Sequence, residues 1–293
     1  MILPLASFCC GLAAIAGAAE PPPAFVADGN AFRFDTGALR GTLRANGRSL
    51  GLLPVTDGAT GTNLARSVGL FSHYRLLDDT TRYGVAGWDW ASTAERLPDG
   101  AVAVRWAADA AHPFDMAATY RWAATNALDV TTTVTPRKDL RKFEVFLASY
   151  LEGFAAAFAY TKQGFLEAKK TEGVWQAFPR DADAEKIIAD GRWKHPPNPV
   201  DWVIRPALAA PLGMRRDAAS GLATLVMAAP QDCFAVSMPY SEEGHRSLYL
   251  SLFGRDLKSG APATARARLV IGRGISDEQA VKLYEAFLKE KQP

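Results

Sequence analysis

One carboxylate, Glu144, lies inside an otherwise apolar run, Lys142-Phe-Glu-Val-Phe-Leu-Ala-Ser-Tyr-Leu-Glu152. Side chains alternate along a strand, so Phe143, Val145, Leu147 and Ser149 share one face and Glu144, Phe146, Ala148 and Tyr150 the other. Both faces are largely apolar, which predicts a central strand covered on both sides. A carboxylate buried there must be paired, hydrogen-bonded or protonated. Glu144 is therefore the candidate general base, with His73 or His245 as the candidate acid. Such a base and acid must flank one bound substrate, with their pKa values tuned near the working pH. The competing role for Glu144 is a buried ion pair with an arginine such as Arg121 or Arg141.

Three polar-aromatic clusters could hold that substrate. The first is His73-Tyr74-Arg75 with Arg82-Tyr83 and Trp88-Asp89-Trp90. The second is Arg192-Trp193-Lys194-His195 with Asp201-Trp202. The third is Glu242-Glu243-Gly244-His245-Arg246 with Tyr249 and Phe253-Gly254-Arg255-Asp256. Aromatic faces beside Arg and Asp suit a pyranose, which offers C–H patches for stacking and hydroxyls for paired hydrogen bonds. The candidate binding residues are Arg75, Arg82, Tyr83, Trp88, Trp90, Trp193, Arg255 and Asp256. The plainer account makes the rings core residues and the charges solvated. On that account Arg255-Asp256 is a turn ion pair worth about 0–1 kcal/mol.

Several motif matches lack their context. Gly47-Arg48-Ser49-Leu50-Gly51 has the G-x-S-x-G form, but no helix follows it to make a nucleophile elbow. His73, His112, His195 and His245 are never spaced as metal ligands. Gly272-Arg273-Gly274 lacks a βαβ setting. Cys233 reads as a small buried hydrophobe rather than a nucleophile. Nothing in the sequence calls for a metal or other cofactor.

The elements that must position these residues are mostly strands. Short strand-like runs begin near Phe32 and continue through 41–44, 70–77 and 102–106. A hairpin joins 116–122 to 128–134 at Thr125-Asn126. Asn46-Gly47 is a second hairpin signal. After the Glu144 strand, residues 154–205 change character. This loop-rich insertion carries Trp175, Trp193 and Trp202 of the seven tryptophans, and is expected to act as a lid, a rim or a covering flap. Within it 183–190 predicts a short helix stopped by Gly191. Strands resume at 222–228, 234–238, 248–253 and 265–271. One amphipathic helix closes the chain, with Ser276 and Gln279 as a capping box and Ala280, Leu283, Tyr284, Phe287 and Leu288 as its apolar stripe. The fold class is all-β: an antiparallel two-sheet sandwich in one domain over 31–293, with the 154–205 insertion and the C-terminal helix.

Residues 1–18 carry no charged side chain and end Ala16-Gly17-Ala18, the pattern of a signal peptide; 19–30, with Pro21-Pro22-Pro23, form an extended linker. A secreted or periplasmic protein is implied, with no transmembrane segment after signal cleavage. Lys+Arg 33 against Asp+Glu 31, with no basic block, argues against a nucleic-acid partner.

The order of strands from Gly41 to Leu288 resembles the galactose-mutarotase-like β-supersandwich superfamily, which includes aldose epimerases and domains of glycosidases and polysaccharide lyases. The carrying features are Gly69-Leu-Phe-Ser-His-Tyr-Arg75, the Tyr120-Arg-Trp…Leu128-Asp-Val-Thr-Thr-Thr-Val134 hairpin, the Phe143–Tyr150 strand and the closing Ala265–Ile271 strand. The resemblance implies a saccharide or polysaccharide partner, bound on the concave face of the larger sheet. It also implies a Glu base and a His acid where such proteins are epimerases. The Asn-His-x-Tyr-Phe signature of the epimerases is absent here, where the strand ends Ala148-Ser149-Tyr150-Leu151. Three readings remain open: a sugar-processing enzyme, a glycan-binding protein without turnover, and an envelope scaffold.

Overall fold

The computed structural model describes residues 22–290. The signal-peptide expectation and the first part of the linker lie outside them. The chain opens with β1 (Val26–Asp28), β2 (Ala31–Asp35), β3 (Leu39–Arg44) and β4 (Gly51–Asp57). Then come β5 (Ser72–Leu77), β6 (Thr93–Arg96), β7 (Val102–Trp106), β8 (Phe114–Ala124), β9 (Ala127–Pro136) and β10 (Leu140–Tyr150). β11 (Ala156–Thr161), β12 (Gly164–Glu167) and β13 (Trp175–Pro179) lead to α1 (Ala182–Ile188). β14 (Trp202–Ile204), β15 (Leu208–Arg216), β16 (Leu222–Ala228), β17 (Cys233–Pro239), β18 (Ser247–Leu257) and β19 (Ala263–Arg273) precede α2 (Asp277–Lys289).

These strands form three sheets. β1–β4 make a small meander, β14-β13-β17-β18-β10-β5 a six-stranded sheet, and β12-β11-β15-β16-β19-β9-β8-β7-β6 a nine-stranded one. All pairings are antiparallel except β13 with β14. The expected all-β, two-sheet architecture is therefore present, with an added meander. Part of the expected linker is strand, because Val26–Asp28 pairs with Ala31–Arg33.

The main core lies between the two large sheets. The six-stranded sheet contributes Phe143, Val145 and Leu147 from β10 and Leu248, Leu250 and Leu252 from β18; Trp106, Trp122, Val130 and Leu269 come from the nine-stranded sheet. The alternation expected around Glu144 holds, so β10 buries one face here and turns Glu144, Phe146 and Ala148 away from it. Phe32, Phe34, Leu43 and Val55 of the meander join the same core.

The outer face of each large sheet is covered differently. On the nine-stranded sheet, α2 lays Ala280, Tyr284 and Phe287 against Leu212, Met214, Leu225 and Met227. The Ser276 hydroxyl accepts from Gln279 N–H while the Gln279 side chain accepts from Ser276 N–H, completing the expected capping box. Arg266 and Arg268 also lie on this face. They are buried beside Asp129 and Glu290. On the six-stranded sheet, the insertion does the covering. α1 packs Ala184, Ile187 and Ile188 on Ala177 and Ala235, and residues 192–202 fold over β10 and β18.

Candidate functional site

A β-bulge sets up the site. β5 and β10 are in register at Phe146↔Arg75 and again at Leu147↔His73, so Tyr74 is an extra residue opposite nothing. A bulge re-aims side chains. Here it puts Tyr74 and Arg75 on the outer face together, while His73 points into the core. Tyr74 stacks on Trp88 behind it, with ring centroids 4.4 Å apart and planes 8° apart.

These residues floor a cleft of about 240 Å³. Phe146 and Tyr150 of β10 and Tyr249 of β18 continue the floor, Trp175 and Trp202 of β13 and β14 form the far wall, and Trp193, Asn198 and Val200 of the insertion make the roof. His245, on the loop before β18, stands at the rim against Trp175, at 5.0 Å between ring centroids. The rings brace one another. Phe146 stacks on Tyr249 at 4.5 Å and meets the edge of Trp193 at 4.5 Å, and Trp193 meets Trp202 at 5.2 Å. A volume below that of sites for drug-sized ligands suits a single ring. Burial pushes the Tyr249 hydroxyl up to about 12 and the Tyr150 hydroxyl higher still, so both stay neutral donors.

The charge in this cleft is positive. Arg75 is 2% exposed and lies over the Trp193 ring at 4.6 Å and the Tyr74 ring at 5.2 Å. Its Nη2 donates to Asn198 O at 2.5 Å, while Nε and Nη1 have no partner among the described residues. Arg82 donates from Nη1 to Pro197 O at 2.5 Å and from Nη2 to Val85 O, which ties the roof loop to the segment after β5. Burial, and next the charge of Arg75, hold Arg82 below its ordinary pKa. Among the described residues no carboxylate lines the cleft.

Glu144 has a different setting. It is fully buried, and its Oε2 accepts from Arg192 Nη1 at 3.3 Å. Arg192 also donates from Nη1 to Lys142 O at 2.8 Å and from Nη2 to Asp190 Oδ2 at 2.8 Å. The triad Asp190–Arg192–Glu144 thus clamps the insertion onto β10. The expected ion pair exists, but its partner is Arg192; Arg121 pairs with Asp99 and Arg141 with Asp79. Burial raises the Glu144 pKa, with Arg192 opposing that shift.

The expected acid–base pairs are not assembled. His73 leaves the opposite face of the six-stranded sheet, and Thr132 of the facing sheet meets its Nε2 at 2.9 Å. Trp106 and Tyr120 pack around it, and burial lowers its pKa to about 3, so it is neutral at working pH and has no proton to donate from that ring charge. His245 precedes Ser247, which pairs with Tyr150, whereas Glu144 pairs with Phe253. Six residues of extended strand span about 20 Å, too far for two groups to act on one sugar bond.

Of the candidate binding residues, Arg75 and Trp193 line the cleft, while Arg82 and Trp88 support it from behind. The others lie elsewhere for clear physical reasons. Tyr83 is in the inter-sheet core, its hydroxyl donating to Asp78 and its ring edge-on to Phe114 at 5.2 Å. Trp90 stacks on His112 at 4.1 Å in the same core. Arg255 donates to Gln231 O at 2.7 Å and Thr264 O at 3.1 Å, and Asp256 accepts from Lys142 N at 2.9 Å. Both sit at the end of β18 remote from His245. Phe146 and Tyr150 were not singled out as binding residues, although their shared face with Glu144 was the signal that could have found them. Trp175 and Asn198 carry no local pattern and reach the cleft only through the fold of the insertion.

The resemblance implies a saccharide on the larger sheet; in the structure α2 covers the β15–β16 part of the outer face of the nine-stranded sheet, and the aromatic cleft lies on the six-stranded one. Among the described residues no group of His, Cys, Asp and Glu could hold a metal ion, and no helix is long and apolar enough to cross a membrane.

No protein-family profile matches this chain, and no curated protein matches its sequence. Solved structures do share its fold. A protein from Synechocystis sp. PCC 6803 is 11% identical with a TM-score of 0.52, the match covering 87% of this chain and 99% of that one. A protein in glycosyl hydrolase family 38 from Enterococcus faecalis is 9% identical with a TM-score of 0.55, covering 90% of this chain but 32% of that longer one. A protein described as a candidate aldose 1-epimerase from Klebsiella pneumoniae subsp. pneumoniae is 9% identical with a TM-score of 0.49, covering 88% and 82%. At such identities the likeness is one of fold alone.

Proposed function

We propose that this is an exported carbohydrate-recognising protein that holds one sugar ring in the cleft on the six-stranded sheet. The observation that carries this reading is the cleft lining, seven aromatic residues around one guanidinium. Flat apolar faces stack on the C–H patches of a pyranose, and hydroxyl, amide and guanidinium groups at their edges take its hydroxyls. The fold shared with sugar-handling proteins is consistent with it. Export rests on residues 1–18 and their Ala16-Gly17-Ala18 ending.

Binding without turnover is favoured over Glu/His acid–base chemistry, because Glu144 is occupied by Arg192 and His73 faces the core. A catalytic version has one group in position. His245 Nδ1 lies 3.1 Å from the Glu243 carboxylate, an orienting contact of the kind a general base or acid requires. It needs a second group supplied by the ligand or by a water.

The test is a glycan-array screen of the protein from Ala19 onward, followed by titration of each hit. Binding that is weakened about two- to tenfold in Trp193→Ala and retained in Glu144→Gln is the expected result. No binding to any glycan points to the scaffold reading. Turnover of a hit that disappears in His245→Ala points to the catalytic one.

A further inference from the structure

Buried arginines are ordinarily paired with carboxylates. In this chain most arginines near the surface are, as with Arg121 and Asp99 or Arg216 and Asp277. Arg75 and Arg82 form no ion pair among the described residues, although Arg75 is 2% exposed and Arg82 half-buried. Their partners are the carbonyls of Val85, His195, Pro197 and Asn198, which neutralise no charge. The Nε and Nη1 of Arg75 and the Nε of Arg82 are dry donors with no acceptor among the described residues. The two guanidinium charges also oppose each other, as the lowered pKa of Arg82 reflects.

The rings on either side do not complete Arg75. Trp193 and Tyr74 offer their faces to the guanidinium plane, a favourable contact for the cation. The N–H donors point along that plane, not through it, and so remain open. Arg215 provides the contrast. It too is buried without a carboxylate and has an Nε unpartnered among the described residues, but its two Nη atoms donate to carbonyls of Phe154, Ala155, Pro239 and Tyr240, and it is not in the lining of the aromatic cleft. Arg75 has one carbonyl and a cleft beside it.

Resting on the saccharide reading above, we infer that the ligand is an acidic sugar. An oxyanion on its ring, whether a uronate carboxylate, a sulfate ester or a phosphate ester, lies against Arg75 with Arg82 behind it. The open Nε and Nη1 of Arg75 lie on different edges of its guanidinium, so a carboxylate, sulfate or phosphate takes one of them in a single charge-assisted hydrogen bond beside an uncompensated positive charge. The sugar ring then stacks among Trp193, Phe146 and Tyr249. Among the described residues no carboxylate lines the cleft, and the nearest at its rim, Glu243, is engaged by His245.

The test compares matched pairs on the unaltered protein by calorimetric titration: galacturonic acid with its methyl ester, and glucose 6-sulfate and glucose 6-phosphate with glucose. Glycans found in the array screen are tested as acidic and neutralised pairs. Acetate and inorganic sulfate serve as bare anions. The acidic member is expected to bind at least about tenfold tighter than the neutral one, the margin a charge-assisted hydrogen bond supplies. The arm with the largest margin identifies the oxyanion. Arg75→Gln is expected to erase the preference and Arg82→Gln to weaken it; should either variant fail to fold, the matched pairs still decide. Equal binding of acidic and neutral sugars overturns the inference and leaves the saccharide reading intact. Bare anions binding as tightly as the acidic sugars, or no sugar binding at all, overturns both.

Discussion

Removing the positive member of the Asp190–Arg192–Glu144 triad should be far more damaging than neutralising Glu144. Arg192 is fully buried and makes hydrogen bonds to Asp190, Lys142 O and Glu144. Arg192→Met fills most of the same volume but leaves Glu144 a dry carboxylate with no counter-charge. Breaking a buried pair in this way costs about 3–5 kcal/mol. Glu144→Gln keeps the shape and an oxygen for Arg192 Nη1, and removes a charge whose burial is incompletely offset, as its raised pKa shows. Its cost should be about 1 kcal/mol or less at pH 7, and adding Glu144→Gln to Arg192→Met should recover about half of the loss. Urea unfolding of the four proteins at pH 7, followed by tryptophan fluorescence, measures these terms. The pH dependence has a definite sign. A carboxyl whose folded pKa is raised binds its proton more readily folded than unfolded. The stability of the unaltered protein relative to Glu144→Gln should therefore be greatest below the ordinary pKa of 4.5 and fall as pH rises through the folded value. The reasoning is refuted if Arg192→Met costs under about 1 kcal/mol, or if Glu144→Gln is the more destabilising of the two.

Three further outcomes are expected. Trp193→Ala should weaken binding of a sugar hit by about two- to tenfold, the value of one aromatic contact, with Trp175→Ala a smaller loss because that residue is at the wall; titration by fluorescence reads both. His73, neutral in the fold down to about pH 3 but protonated in the unfolded chain below 6.5, should withdraw stability as pH falls through that window, by about 1.4 kcal/mol per unit at most. His73→Gln should lack that component and leave sugar binding unchanged. Ser276→Ala should remove the α2 cap and cost about 1 kcal/mol, seen as a lower urea midpoint with an unchanged slope.

The local patterns were legible in the sequence because they depend on near neighbours. Alternation along Phe143–Tyr150 assigned both faces of β10 correctly, the Thr125-Asn126 turn marked the β8–β9 hairpin, and Ser276 with Gln279 fixed the start of α2. The buried pair at Glu144 was legible too, as a requirement for an arginine, but not as Arg192. That partner is forty-eight positions away and arrives only when the insertion folds back. The bulge at Tyr74 was hidden for a related reason. A strict period of two along His73-Tyr74-Arg75 would put His73 and Arg75 on one face, and the extra residue separates them. Trp90 and Tyr83 looked like ligand contacts because their neighbours are charged, whereas their rings complete the inter-sheet core. Which strands of the nine-stranded sheet are covered is decided by where α2 docks, and the stripe on α2 does not name them.

The central claim is that a sugar ring sits between Trp193 and the floor of the six-stranded sheet. A crystal structure of the protein with the tightest-binding glycan from the array tests it most directly. The ring is expected to lie against Trp193, Phe146 and Tyr249, with an oxyanion on Arg75. A glycan bound on the nine-stranded sheet, at Arg255 and Asp256, or anywhere outside this cleft would contradict the account.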